Sequence, residues 1–261
     1  MGGRGWKICK CANPANGVGD VACIVMEKLT QSGRFVKHHD MDFVVIVNPD
    51  HGPTKAAWPS ATYIAAIKHL HTYPNVRTLG YIDTANGSVP NTTVRAQVAT
   101  YAGWANVTDG LALHGIYFDA TPWRDSEDGM ARAYMRNVSA TVRHTTGWAG
   151  EGEGIVVHNP GRVPDKEMMA YKPDIVVAFE GAFAGLPSRD KLHGQLADKK
   201  GGRDDYAMLV HSMPSHLGRG GLRRIIESVR IDVQWLYMTD LTADVYTGYG
   251  SLLETWLDVA W

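Results

Sequence analysis

The sequence lacks an excess of charge of either sign. Its 26 basic and 27 acidic residues leave a formal net charge of −1, and no basic stripe runs along any segment. Proteins that bind nucleic acid concentrate lysine and arginine on one face, where these side chains meet the phosphate backbone. The composition therefore argues against a nucleic-acid partner.

The sequence also lacks a long apolar run. No segment approaches the ~18 residues of a membrane-spanning helix, and the segment 1–6 has no apolar core of the kind that signal peptides carry. Four N-glycosylation sequons, at Asn86, Asn91, Asn106 and Asn137, nevertheless suggest a eukaryotic secretory route. We expect a secreted or cell-surface protein without a membrane span. Either a signal peptide has been removed or the protein is not secreted.

Cysteine is scarce, and no cofactor motif stands out. Cys9, Cys11 and Cys23 are an odd number and allow one disulfide at most. Cys9-x-Cys11 has no second cysteine or histidine pair at the spacing of a structural zinc site. Sequence alone thus predicts no cofactor and no resident metal.

The chain does contain a repeated pattern, in which an apolar run closes on a polar residue. Such runs begin near residues 43, 78, 115, 154, 174, 206 and 233, and most are separated by amphipathic stretches. Alternating strand and helix patterns are typical of parallel sheets. The residues that close the runs are Asn48, Asp83, Asp119, Asn159, Glu180, His211 and Asp240.

The spacing predicts a single-domain (β/α)8 TIM barrel, since 261 residues is near the size limit of one hydrophobic core. Closure needs an eighth strand, and Trp6–Cys11 is the one candidate, although its lysines make it atypical. We expect residues 1–41 to complete the barrel and residues 42–261 to form its main body. An open doubly wound sheet is the alternative, but no Gly-x-Gly-x-x-Gly follows the first strong strand.

Helices are predicted between the strands from apolar residues spaced by three and four. The predicted segments are 21–31, 59–70, 94–102, 127–146 and 222–229. Gly218–Gly221 is interpreted as a turn.

The carboxyl ends of parallel barrel strands form one rim, where active sites of such barrels lie. Two carboxyl groups at a rim suit glycoside hydrolysis, in which one attacks or stabilises the sugar cation and the other protonates the leaving oxygen. Clustered Asp, Asn and His could instead hold a divalent cation.

Several segments in order resemble the spherulin-4-like family. They are Val45–Pro53, Asn75–Thr84, Gly115–Asp119, Val157–Gly161, Phe179–Glu180, Val210–Pro214 and Tyr237–Asp240. The resemblance covers about residues 42 to 258. It implies a (β/α)8 barrel and membership of glycoside hydrolase family 135, whose members cleave galactosamine-containing polysaccharides such as fungal galactosaminogalactan.

The resemblance implies that Asp119 is the nucleophile or charge stabiliser and that Glu180 is the general acid and base. The structural alternatives are a helix cap or an Arg124 ion pair for Asp119, and a rim ion pair with Arg189 for Glu180. Substrate binding is expected of Asn48, His51, Tyr81, Asp83, Trp123, Asn159, His211 and Asp240.

The chain departs from the family at Ala120, where relatives commonly carry a second acid directly after the Asp. We therefore weigh two main hypotheses. The first is a monomeric, retaining, endo-acting hydrolase of α-1,4-linked galactosamine or N-acetylgalactosamine polymer, with its activity in question because of Ala120. The second is a non-catalytic glycan-binding protein of a cell wall or spore. An intracellular metal-dependent barrel enzyme is a third.

Overall fold

A parallel β-sheet organises the chain in a computed structural model that describes residues 6–12, 36, 38–39, 41–199, 201–246, 248 and 250–259. Seven strands pair in chain order and curl into a half-barrel. They are β2 Asp42–Asn48, β3 Val76–Asp83, β4 Gly115–Asp119, β5 Ile155–His158, β6 Ile175–Ala182, β7 Tyr206–His211 and β8 Trp235–Met238. The predicted α/β class and parallel order are confirmed.

A further strand, β1 Trp6–Ala12, lies where the atypical first strand was predicted. It pairs in parallel with β2 along its whole length, from Trp6 opposite Asp42 to Ala12 opposite Asn48. With β8 it pairs at two positions, through Trp6 and Lys7. The predicted helix over 21–31 and all three cysteine side chains lie outside what the structure describes.

In the part of the chain that the structure describes, α-helices follow six of the strands. They are α1 Ala61–Leu70, α2 Asn91–Gly103, α3 Met130–His144, α4 Arg189–Leu196, α5 Arg219–Val229 and α6 Leu253–Val259. In the described chain β5 is followed by a 3₁₀ helix, Lys166–Tyr171, where a strict strand–helix repeat would place an α-helix. Three prolines in this connection, Pro160, Pro164 and Pro173, each remove a backbone donor and disfavour a longer helix.

Three local predictions need correction. Pro59 was expected in the first turn of α1, but Ser60 is the N-cap and accepts from the Tyr63 amide at 3.4 Å. In the predicted helix 127–146 the apolar residues spaced by four include Met130, which the pattern predicts to be buried, but it is 64% exposed, in the first turn of α3. Gly218–Gly221 is no turn, since Gly218 caps α5 and the next three residues begin it.

Alternate residues of the strands pack on opposite sides of the sheet, as the period of two requires. The inner cluster contains one or two residues from each of β2 to β8, including Ile46, Tyr81, Tyr117 and Tyr237. The outer cluster packs the other strand face against the helices. A polar residue at a strand end therefore faces inward only if its position follows the inner series.

Helix α2 packs unusually close to the sheet at Gly80. A Cβ atom at this position would lie 2.7 Å from the Tyr101 ring, so only glycine fits. The Tyr101 hydroxyl lies 3.2 Å from the Val47 carbonyl oxygen and 3.0 Å from that of Tyr81. This contact fixes the ends of β2 and β3 against one helix.

His158 belongs to the outer series of β5. Its Nε2 lies 2.8 Å from the Ser139 hydroxyl of α3, and its ring packs edge-on to Phe118. His158 is therefore a buried, hydrogen-bonded histidine of the outer strand face, and burial lowers its pKa to about 3. Among the described residues, no helix is both long and apolar enough to cross a membrane.

We expect the free energy of unfolding to fall as pH is lowered from 6.5. The unfolded state binds a proton at His158 near pH 6.5, whereas the folded state does so only near pH 3. Between these values acid favours the unfolded chain, by at most ~1.4 kcal/mol per pH unit. Urea unfolding at pH 7 and 4.5 measures this.

The matched variants are His158→Gln and His144→Gln, the latter at the exposed end of α3, the helix whose Ser139 contacts His158. Between pH 7 and 4.5 the free energy of unfolding of His158→Gln should fall by ~2 kcal/mol less than that of the wild type. His144→Gln, which removes a histidine elsewhere, should behave as the wild type does. An equal loss in wild type and His158→Gln would refute the assignment.

Candidate active site

Two carboxylates and one amide meet at the carboxyl ends of β4, β5 and β6. Nδ2 of Asn159 donates to Oδ1 of Asp119 at 2.5 Å and to Oε2 of Glu180 at a shorter separation. Because both oxygens accept from the same nitrogen, their separation cannot exceed the sum of the two hydrogen-bond lengths. The two acceptor oxygens therefore lie within about 5 Å of each other. The structure thus brings together Asp119, Glu180 and Asn159.

The Asn159 amide is held in one orientation. Its Oδ1 accepts a hydrogen bond from the Gly161 amide at 3.0 Å, which directs the nitrogen towards the carboxylates. The Asn159 backbone also bonds to both flanking segments, donating to the Phe118 carbonyl and accepting from the Thr121 amide. Because the side chain is buried, rotation would leave polar atoms without these partners.

Each carboxylate also accepts a hydrogen bond from a tyrosine. The Tyr81 hydroxyl donates to Oδ2 of Asp119 at 2.7 Å, and the Tyr246 hydroxyl donates to Oε1 of Glu180. Burial, and then the charge of the carboxylate, raise the pKa of both phenols. Both tyrosines therefore keep their protons and act as donors at ordinary pH.

Sequence reasoning missed Tyr246. It lies in the segment after β8, 66 residues along the chain from Glu180. No strand pattern leads to it, and a lone tyrosine in a connecting segment carries no signal of its own. The Tyr237 hydroxyl donates to the neighbouring Val245 carbonyl at 2.6 Å, which ties this segment to β8.

Glu180 reaches the inner face through an irregularity of β6. Ile175 and Val177 belong to the inner cluster, so regular alternation would place residue 179 inward and Glu180 outward. The register with β7 shifts between Val177 and Phe179, which inserts one extra residue. This bulge places Phe179 against the outer cluster and turns Glu180 inward, as bulges beside active sites often do.

Three other predicted residues lie on the inner series of their strands. Asp83 is opposite Asp119 in the sheet register and accepts from the Ala85 amide at 2.7 Å. Asn48 is buried at the end of β2 and accepts from the Gly52 amide at 3.0 Å. His211 is half-buried, with Nδ1 2.9 Å from the Ser212 hydroxyl.

Asp240 falls two residues beyond β8 on the outer series, since Trp235 and Tyr237 are inner. Its carboxylate accepts from the Ser251 hydroxyl and from the Leu252 amide at 3.4 Å, beside the start of α6. His51 is exposed, with a left-handed φ of 50°, in the segment after β2. The sugar contacts of both remain predictions.

Trp123 is half-buried four residues after Asp119. The Arg124 guanidinium carbon lies 4.1 Å from the indole centroid, and that of Arg162 lies 5.2 Å away. Trp123 therefore presents its ring together with two cations.

Ala120 has a left-handed backbone, with φ of 44°. Its carbonyl oxygen accepts from the Thr84 hydroxyl at 2.8 Å and from the Asn86 amide at 2.7 Å. The backbone conformation at this position is therefore held by the segment after β3. The methyl side chain contributes no polar or ionisable group beside Asp119.

Within the described ranges, no group of three or more His, Cys, Asp and Glu side chains is placed to hold a metal ion. The geometry provides two closely spaced carboxyl groups that share one donor, the Asn159 amide. Such an arrangement can transfer a proton with one group and stabilise or attack a cationic centre with the other.

Comparisons with known proteins point to one family. Residues 30–260 match the family described as Spherulin4, spherulation-specific family 4. The crystal structure of Aspergillus clavatus Sph3 in complex with GalNAc is similar over 98% of this chain and 97% of that one, at 30% identity and a TM-score of 0.85. The curated proteins contain no significant match to the sequence.

A chitinase from Rhizomucor miehei, RmChi1, shares the fold. The similarity covers 98% of this chain and all of the chitinase chain, at a TM-score of 0.54 and 8% identity. Together these neighbours point to a fold of the glycoside hydrolase type and to sugar binding.

We expect Asn159→Asp to destabilise the protein in a pH-dependent way. The change keeps the shape but replaces the shared donor with a third carboxylate, which repels Asp119 and Glu180. The free energy of unfolding should fall by ~2 kcal/mol at pH 7, and the loss should shrink towards pH 4 as carboxyl groups take up protons. Denaturant unfolding at both pH values measures this.

Asn106→Asp is the control, because Asn106 is an exposed asparagine outside the site. A loss in Asn159→Asp that stays constant with pH would contradict the repulsion argument.

Proposed function

Because the chain belongs to spherulation-specific family 4, we propose that it is a secreted glycoside hydrolase that cleaves within a galactosamine-containing polysaccharide. The observation that carries the proposal is the Asp119–Asn159–Glu180 arrangement on the inner rim of the sheet. The similarity to Sph3, a protein solved with GalNAc, supports a galactosamine-type ring as the sugar unit. We place the enzyme in glycoside hydrolase family 135.

We assign a retaining mechanism to this pair. Retaining enzymes hold their two carboxyl groups ~5–5.5 Å apart, whereas inverting enzymes leave ~6.5–9.5 Å for a water. The oxygens of Asp119 and Glu180 that share Asn159 lie within about 5 Å, which favours direct attack by one carboxylate.

In the first step Asp119 forms a bond to the anomeric carbon while the glycosidic bond breaks. Glu180 gives its proton to the departing oxygen. In the second step Glu180 takes a proton from water, the water oxygen attacks the anomeric carbon and Asp119 is released. The Tyr81 and Asn159 donors hold Asp119 as the ionised nucleophile.

The accompanying features of the proposal are an α-1,4-linked polymer, endo attack, a monomer and a closed (β/α)8 barrel. The pairing of β1 with β2, and at two positions with β8, supports closure. Asn86, Asn106 and Asn137 are exposed, as glycosylated asparagines of a secreted protein must be.

Ala120 favours a second candidate function, a non-catalytic glycan-binding protein of a cell wall or spore. Where the family resemblance leads us to expect a second acid, Ala120 has only a methyl side chain. Position 120 therefore contributes no ionisable group to the described site. If that acid is essential, the chain binds glycan without cleaving it.

One assay separates the two candidates. The wild type and Ala120→Glu are incubated with acetylated and deacetylated galactosaminogalactan, and both released oligosaccharides and polymer-bound protein are measured. If the protein is a hydrolase that uses Asp119 and Glu180, the wild type releases oligosaccharides from the polymer. Asp119→Asn and Glu180→Gln should each lower the rate at least ~100-fold while binding persists.

Binding without release by both wild type and Ala120→Glu would overturn the hydrolase and leave the glycan-binding protein. If Asp119→Asn still released oligosaccharides at the wild-type rate, Asp119 would not be the nucleophile.

The stereochemistry gives a separate test of the carboxylate spacing. Proton NMR of the first product formed from an α-linked oligosaccharide should show the α anomer, which then mutarotates. An initial β anomer would establish inversion and require a wider working separation of the two carboxyl groups.

A further inference from the structure

We propose that Trp123, Arg124 and Arg162 form a subsite for an acidic sugar unit beside the Asp119–Glu180 pair. The inference rests on the proposed function for its location, and it adds the chemical class of one unit of the glycan. We call these three residues the arginine–tryptophan subsite.

The subsite is built on the same segments that hold the carboxylates. Gly161, next to Arg162, donates its amide to Asn159 and accepts from the Glu180 amide at 3.1 Å. Arg162 itself forms an antiparallel bridge with Phe179. The Trp123 carbonyl accepts from the Asp165 amide at 2.8 Å, which joins the segments after β4 and β5.

Two positively charged guanidinium groups lie close to the Trp123 ring. The guanidinium carbons of Arg124 and Arg162 lie 4.1 and 5.2 Å from the Trp123 centroid. Attraction to the indole face holds each cation near the ring, but the two cations repel each other. An anion beside the ring would be attracted by both positive charges.

Neither guanidinium group has an anionic partner among the described residues, and both arginines are exposed. Asp125, the acidic residue next to Arg124, is engaged with Arg132 at 3.2 Å and accepts the Arg132 amide at 2.9 Å. The positive charge of the subsite is therefore available to a ligand.

The chemistry of the pair selects the ligand class. A guanidinium group donates two parallel hydrogen bonds to a carboxylate or sulfate, which a hydroxyl cannot match. The half-buried indole edge offers apolar contact to a pyranose ring. A sugar that carries a carboxylate or sulfate satisfies both, whereas a cationic galactosamine is disfavoured at this position.

The test is an NMR titration of the whole protein at low ionic strength, following the arginine Nε–Hε signals. The probes are galacturonate, galactose 6-sulfate, galactose and galactosamine. Arg124→Gln and Arg162→Gln identify the two signals. Arg136→Gln is the matched control, because Arg136 also lies over an aromatic ring, at 6.0 Å from Tyr171, away from the rim.

We expect galacturonate to shift the Arg124 and Arg162 signals and to bind at least ~5-fold more tightly than galactose. Each arginine variant should weaken galacturonate binding ~5-fold or more and leave galactose binding unchanged, while Arg136→Gln binds galacturonate as wild type does. Equal binding of galactose 6-sulfate indicates recognition of negative charge in general, and weaker binding indicates a carboxylate-specific site.

Galacturonate that binds no better than galactose, or an equal loss in Arg136→Gln, would overturn the subsite. The readout does not need bond cleavage, so its outcome is independent of the hydrolase assay. Anionic binding retained in Asp119→Asn would leave the subsite standing even if the polymer is never cleaved.

Discussion

The site depends on one amide group placed between two carboxyl groups. If both were ionised, Asp119 and Glu180 would repel each other at this separation, and the Asn159 nitrogen donates one hydrogen bond to each. Tyrosine hydroxyls from β3 and from the segment after β8 complete the set of donors. Five separate parts of the chain must therefore be in position before the two carboxyl groups can lie so close, so the geometry of the site depends on the integrity of the sheet.

The sheet itself decides which polar strand ends take part. Asn48, Asp83, Asp119 and Asn159 follow the inner series of their strands, and each faces the same side as the inner apolar cluster. Glu180 would face away without the bulge in β6. The irregularity in β6 thus places Glu180 on the inner face, whereas regular alternation places Asp119 there.

Much of this arrangement could be predicted from the sequence. Apolar runs that close on Asp119 and Glu180, separated by amphipathic segments, were enough to predict parallel strands and a shared rim. Alternation counted along β8 would also have placed Asp240 on the outer series, away from the inner rim. Neither the bulge nor Tyr246 could be predicted, because an inserted residue leaves no mark in an apolar run and a single tyrosine in a connecting segment has no periodicity. The three prolines after β5 disfavour a long helix there, but they do not specify the 3₁₀ helix that forms.

Position 120 is held by its carbonyl oxygen rather than by its side chain, since Thr84 and Asn86 fix the backbone there. Loss of a functional side chain at this position consequently leaves the surrounding scaffold in place. Alanine codons differ from those of aspartate and glutamate by a single nucleotide, so a lineage can remove or restore an acid here in one mutational step. A single mutation can therefore add or remove an ionisable group beside Asp119 while the backbone around it stays in place.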